Sequence, residues 1–302
     1  MKKIVKLNPF ISERVWAGTK LAKLKNIDTS LRVGETWEVS SLKEGASKLN
    51  NQKLHEFCDL SYLVKFIDTS DNLSIQVHPD NEYARENENS LGKSECWLIL
   101  DAEEGSGIYL GFKKGITKKE FFNAVEAKLP VDNFLNFLPV KSGDFFYVPA
   151  GSVHAIGKGV TLCEVQQSSG VTYRVWDWNR LGMDGMPRDL HVEKAKDVLN
   201  FSDTFNDKLS LFFKSNLLES VGIQTLIEHD NFKVELYSNT TQKKLELTLE
   251  NKSSLILLEG SISGDIELEK YESSLVLEEG TFQFNLAHRS SFLLVSENSQ
   301  EL

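Results

Sequence analysis

The stretch from Gly143 to His154 constrains the fold of this chain more than any other. It reads GDFFYVPAGSVH, a spacing of G-x5-P-x-G-x2-H in which each fixed residue has a physical task. Gly143 and Asp144 end one turn and start a strand. Phe145 to Val148 are aromatic and β-branched, suited to a packed strand. Pro149 and Gly151 break the ladder and re-aim the chain. His154 follows just past that bend, where an imidazole is able to point into the mouth of a small barrel.

A second half of the same pattern lies upstream. Residues 73–79 read LSIQVHP. Gln76 and His78 are two apart, so on a strand they share one face. Glu95 follows in KSECWLIL, at the start of another strand-like run. Gln76, His78, Glu95 and His154 together offer two imidazoles, a carboxylate and an amide oxygen. Imidazole plus carboxylate with room for water suits catalytic Zn²⁺ and also non-haem Fe²⁺. The spacing resembles the signatures of the cupin superfamily, small β-barrels that often hold a metal. The one departure noted from the general cupin signature is Lys158, where Asn is common four residues after the histidine.

Composition narrows the function classes. The 302 residues are 40% hydrophobic and 26% charged, which suits a globular protein with room for two cores. The formal net charge of −10 leaves no general basic footprint for nucleic acid. An anionic substrate must then be captured by a few local Lys and Arg. Cys58, Cys96 and Cys163 are widely spaced with no CxxC, and read as buried reduced thiols. The N-terminal residues show no apolar signal core, and no run approaches the roughly 18–20 apolar residues of a membrane span. A cytoplasmic protein without membrane partners is expected.

Residues 1–100 are mostly short strand-like runs cut by turns, with a polar excursion, DNEYARENENSLGKS, between His78 and Glu95. Over 116–138 the period changes. Thr117 and Glu120 form a capping box, and Phe121, Phe122, Val125, Leu129, Phe134, Leu135 and Leu138 predict two helices parted by Pro130. DLHVEKAKDVL (189–199) predicts a further helix. From about 230 the chain alternates again, predicting a second, smaller antiparallel β-domain. It carries no metal set, because Gly280 is followed by no PxGxxH and His288 stands alone.

Around the metal set, Lys65, Lys93, Ser74 and Arg174 face the same mouth if their strands alternate inward. Such a cationic lining suits a sugar phosphate. Asp177 and Arg180 follow closely; Arg180 reads as a salt-bridge partner and Asp177 as a residue that orients an arginine or acts on substrate. GETWEVS (34–40), LVKFIDTSDNLSIQVHPD (63–80), GKSECWLIL (92–100), VPAGSVHAIGKG (148–159), EVQQSSGVTYRVWDWNR (164–180) and DLHVEKA (189–195) resemble, in order, the type I phosphomannose isomerases of the short bacterial branch. The likeness covers about two-thirds of the chain.

That resemblance implies a mainly β fold: a cupin-type double-stranded β-helix (jelly-roll) barrel with a helical insert and a second, smaller β-barrel. The expected division is 1–115 with 139–200 as the metal-binding catalytic domain, 116–138 as the insert, 201–229 as a connector and 230–302 as the C-terminal β-domain. The resemblance further implies one Zn²⁺ per chain on Gln76, His78, Glu95 and His154. It implies catalytic roles for Arg174 and Lys93, with sugar-phosphate contacts from Ser74 and Lys65. The implied reaction is the aldose–ketose isomerisation of mannose 6-phosphate and fructose 6-phosphate, by a monomer or homodimer. Lys93, Asp177 and a metal-bound water stand open as the group that takes the carbon proton. The insert is expected to cover the mouth. Two rivals remain: an iron dioxygenase, against which the cationic lining argues, and a non-catalytic metal-containing sugar-phosphate-binding protein.

Overall fold

The structure, a computed structural model, describes residues 3–298. Two antiparallel sheets form the first barrel. One has five strands in the order Leu135–Pro139, Gly107–Phe112, His154–Ile156, Ile75–Val77 and Tyr173–Trp176. The other has six, in the order Phe145–Val148, Glu95–Ala102, Val160–Gln167, Tyr62–Asp68, Val33–Val39 and Phe10–Glu13. The architecture is the mainly β, cupin-type barrel that the motifs imply.

Strand alternation sorts the side chains. Along Tyr62–Asp68, Lys65 and Ile67 line the barrel interior, while Tyr62, Val64 and Phe66 point out. The outward set is nonetheless fully buried. It packs against Leu226, Phe232, Val234, Ile256 and Leu293 of a second barrel, in one continuous core. This double burial is why the strand reads YLVKFID, an apolar run with a single charge, in place of a clean alternation of polar and apolar. The Tyr62 hydroxyl also donates to the Lys252 carbonyl at 2.7 Å, across the junction.

The second barrel pairs a six-stranded sheet with a four-stranded one. Its own interior is filled by residues such as Ile4, Leu255, Leu257, Phe284 and Leu286. Its six-stranded sheet begins earlier than the sequence reading placed it. Gly222–His229, within the expected connector, is its edge strand and pairs with Phe232–Ser238. Ile4–Lys6, from the other end of the chain, pairs with Ser273–Val276. The N-terminal strand therefore pairs into the sheet of the second barrel, whereas its position in the sequence puts it with the first. The connector also holds a helix, Asp203–Leu209.

Two helical predictions change. The Thr117–Glu120 capping box forms and starts the helix Lys118–Glu126. Beyond Pro130, however, one 3-10 turn leads into the strand Leu135–Pro139, which pairs with Gly107–Phe112. Apolar positions 134, 135 and 138 suit a short helix as well as a strand, and pairing with an available sheet edge decides between them. The polar excursion before Glu95 contains the helix Asn81–Glu88, capped by the Asp80 side chain on the Tyr83 amide. The insert does not cover the mouth: Phe121, Phe122 and Val125 pack with Ala195 against Ile75, Val77 and Val175, on the outer face of the five-stranded sheet. Cys96 and Cys163 are buried and Cys58 is half-buried, all three unpaired. Among the described residues no helix is long and apolar enough to cross a membrane.

The junction makes a direct prediction. Phe232 is fully buried between the barrels, whereas Leu211 is 76% exposed. Phe232→Ala is expected to cost about 3–5 kcal/mol in urea unfolding, and Leu211→Ala no more than about 0.5 kcal/mol.

Candidate metal centre and substrate pocket

The five-stranded sheet places three site residues in one row. Gln76, at the centre of Ile75–Val77, lies in register with His154 on one side and Arg174 on the other. Ile75 and Val77 are buried on the opposite face, so Gln76 is turned inward. His78 follows the same strand two residues on. From the facing sheet come Glu95, Trp97, Lys65 and Glu164, with Lys65 and Glu164 directly opposite in register. Lys93 lies two residues before Glu95. Gly151, at φ 85°, makes the bend before His154, and its amide donates to the His78 carbonyl at 2.9 Å. That bond ties the two histidine segments together.

His78, Glu95 and His154 converge, their candidate ligand atoms all within 4.8 Å of one another. His154 Nε2 is 3.2 Å from Glu95 Oε1 and His78 Nε2 is 3.5 Å from Glu95 Oε2. The other ring nitrogens fix the tautomers. His78 Nδ1 lies 2.9 Å from the Val171 carbonyl and His154 Nδ1 lies 3.0 Å from the Ser152 carbonyl. A carbonyl only accepts, so each Nδ1 carries the proton and each Nε2 presents a lone pair to the centre. Burial, with Lys93 and His154 adding to it, holds His78 well below the usual imidazole range. Burial also draws His154 down to about 4. Both rings are therefore neutral at pH 7, the form that ligates a metal.

These lone pairs face the buried Glu95 carboxylate. Among the described residues neither buried oxygen of Glu95 has an aligned hydrogen-bond donor. Lys93 Nζ approaches Oε2 at 2.8 Å as an ion pair, and lies 3.1 Å from His78 Nε2. Two imidazole lone pairs and a carboxylate, buried together, fit a divalent cation with nitrogen and oxygen ligands. Gln76 fits less directly. Its amide nitrogen is 3.2 Å from His154 Nε2, while its oxygen accepts from Ser74 Oγ at 3.3 Å. Ligation through oxygen requires the amide to be turned over, an orientation set by the surrounding hydrogen bonds.

The centre sits in a cavity of about 350 Å³ lined by Lys65, Ser74, Lys93, Trp97, Glu164 and Arg174, among others. Lys65 is buried, donating to Glu164 Oε1 at 3.1 Å and Gln166 Oε1 at 2.7 Å, with the Trp37 ring 4.8 Å away. For Lys93, burial opposes the charge, but Glu95 and Glu164 outweigh it and the net shift is upward. Its charged form is thus favoured by the two carboxylates beside it. Asp177 accepts from Arg180 and Arg188 and is likewise committed. Arg174 donates to the Asp189 carbonyl at 2.7 Å, but among the described residues its buried Nε has no acceptor.

All eight residues singled out by the sequence as site residues lie in this one region. Reasoning from sequence gave no role to Glu164, Glu35, Trp37, Arg14 or Arg188, which also line the cavity. Period-two inward positions in GETWEVS and CEVQQ, opposite Lys65, would have found Glu35, Trp37 and Glu164. Arg188, in a polar loop, carries no such signal.

The chain is 39% identical over 213 residues to mannose-6-phosphate isomerase from Streptococcus mutans, covering 64% of this chain and 67% of that one. It is 32% identical over 250 residues to a putative mannose-6-phosphate isomerase of Bacillus subtilis, covering 76% and 77%. The structure superposes on the crystal structure of mannose 6-phosphate isomerase from Bacillus subtilis with a TM-score of 0.80 at 26% identity, over 97% of this chain and 99% of that one. No protein-family model matches the chain.

The imidazoles set a pH dependence for the metal-free protein. His154, folded, has a pKa of about 4, below the unfolded value near 6.5. The unfolded chain therefore binds protons first as pH falls. This contribution is fully present above about pH 6.5 and is lost toward pH 4. Urea unfolding is expected to show His154 costing about 2 kcal/mol between pH 7 and pH 5, and His154→Gln to flatten that slope.

Proposed function

The chain belongs to the mannose-6-phosphate isomerase family, and from that premise we infer that it interconverts D-mannose 6-phosphate and D-fructose 6-phosphate with one zinc ion held by His78, Glu95 and His154. The observation that carries the metal assignment is the buried Glu95 carboxylate, without aligned donors, facing two Nε2 lone pairs. Gln76 is the fourth ligand in this reading, through its amide oxygen. Zinc rather than iron suits the cavity, because its cationic lining is built for an anion and not for dioxygen.

The reaction moves a proton between C2 and C1 of the open-chain sugar, and the obstacle is the weak acidity of a carbon-bound proton beside a carbonyl. When bound, zinc supplies Lewis-acid polarisation of the substrate oxygens. The protein's own groups do the rest. Arg174 lies in register with Gln76, and its unpartnered Nε is placed to donate to the oxygen on which enediolate charge develops. Lys93, held charged, adds a second positive group on the opposite side of the centre. Lys65 and Ser74 hold the sugar, Lys65 being fixed by Glu164 and Gln166 so that little side-chain freedom is lost on binding. Trp97, anchored through Nε1 on Glu164 and edge-on to the His154 ring, helps keep water from the reacting carbons. The reading places the enzyme in the cytoplasm, as a monomer or homodimer acting on a small sugar phosphate.

A coupled assay for fructose 6-phosphate formed from mannose 6-phosphate tests this function. Turnover is expected to vanish with chelator and return with Zn²⁺. Arg174→Ala is expected to lower kcat about 10²–10³-fold with a smaller change in KM. Folded, zinc-loaded protein that binds mannose 6-phosphate without turning it over would overturn the isomerase reading in favour of a sugar-phosphate-binding protein.

A further inference from the structure

The pocket lip beside Arg174 holds a cluster centred on Asp177, which is 6% exposed. Its carboxylate accepts from two guanidinium groups. Arg180 donates through Nε at 3.1 Å and a terminal nitrogen at 2.9 Å, both to Oδ1. Arg188 donates through Nε to Oδ2 at 2.6 Å and through one terminal nitrogen to Oδ1. The backbone is bent to make this possible. Trp178 and Asn179, consecutive non-glycine residues, both adopt left-handed φ of 58° and 53°, a conformation that persists only where surrounding contacts enforce it. Trp178 supplies such contacts through Nε1 on the Leu73 carbonyl at 2.7 Å and a ring 5.7 Å from Tyr109.

The two arginines differ in what they have left to offer. Arg180 spends its remaining terminal nitrogen on Asp71 and on the Asn72 carbonyl, and it does not line the cavity. Arg188 does line the cavity, and its second terminal nitrogen makes no hydrogen bond among the described residues. A guanidinium has five donors in a rigid fork. With one edge clamped on a carboxylate, the other edge is held in a fixed direction and remains open to an oxyanion. A second cation, Arg174, lines the same cavity.

We propose that Asp177 is a positioning residue for the isomerase, clamping Arg188 at the pocket lip so that the free guanidinium edge binds the phosphoryl group of the sugar phosphate. The identity of the anion rests on the isomerase reading; the clamp and the anion site do not. Selectivity for phosphorylated over unphosphorylated sugar follows, because a phosphoryl oxygen makes a charge-assisted bond to the free edge where a neutral hydroxyl makes a weaker one.

The test compares wild type, Asp177→Asn, Arg188→Met, the double variant and Asp177→Glu, each checked for metal content and folding. KM and kcat are measured with mannose 6-phosphate, and inorganic phosphate binding by calorimetry. Asp177→Asn and Arg188→Met are each expected to raise KM about tenfold or more, the size of a charge-assisted hydrogen bond, with kcat and metal content little changed. The double variant is expected to match Arg188→Met alone, and Asp177→Glu to restore part of the loss. Unchanged KM, or single effects that multiply in the double variant, would overturn the proposal. Absence of wild-type turnover would remove the isomerase reading instead. Phosphate affinity then decides, sustaining the anion site if both substitutions weaken it and ending it if neither does.

Discussion

A carboxylate with no aligned donors, buried opposite two imidazole lone pairs, is the constraint around which this molecule is arranged. Acceptors crowded together away from water repel one another unless a cation joins them. The protein sets up that crowding deliberately, with the Val171 and Ser152 carbonyls holding the proton of each ring on Nδ1. Burial keeps both rings neutral. The Gly151 amide joins the two ring-bearing segments. Lys93 is the one positive group within the cluster, and it pairs with Glu95 without satisfying it.

Holding such a cluster requires a stiff frame, and the second barrel supplies one. The strands that carry Lys65, Glu95 and Glu164 turn one face to the site and the other to a core shared with the C-terminal sheet. Side chains on those strands are therefore fixed from behind by close packing. The helices at Lys118–Glu126 and Val192–Val198 do the same for the strand that carries Gln76, from outside the five-stranded sheet. The insert and the second barrel thus act as backing for the two walls of the pocket, whose lining includes the charged groups of Arg14, Glu35, Arg174 and Arg188.

Much of the site was legible in the sequence because it depends on short-range geometry. Gln76 and His78 share a face because they are two apart on a strand, and His154 is aimed by the Pro149–Gly151 bend that precedes it. What was not legible depends on pairings between distant segments. Nothing local in IVK says that Ile4–Lys6 will complete the sheet of a barrel more than 200 residues away. Phe134 to Leu138 fit a helix until the edge of Gly107–Phe112 is seen beside them. Arg188 comes from a loop without periodicity, and its place in the pocket is set by Asp177 across a turn of two left-handed residues. Lys65 faces the mouth only if its strand alternates inward, and register opposite Glu164 puts it inside.

Anomalous diffraction at the zinc edge, from crystals of protein purified without chelator, tests the central claim most directly. A single peak is predicted at about 2.0–2.2 Å from His78 Nε2, His154 Nε2 and a Glu95 oxygen, with both Nδ1 atoms still on their carbonyls. A zinc-loaded crystal with its peak elsewhere, or with either ring ligating through Nδ1, would contradict the account.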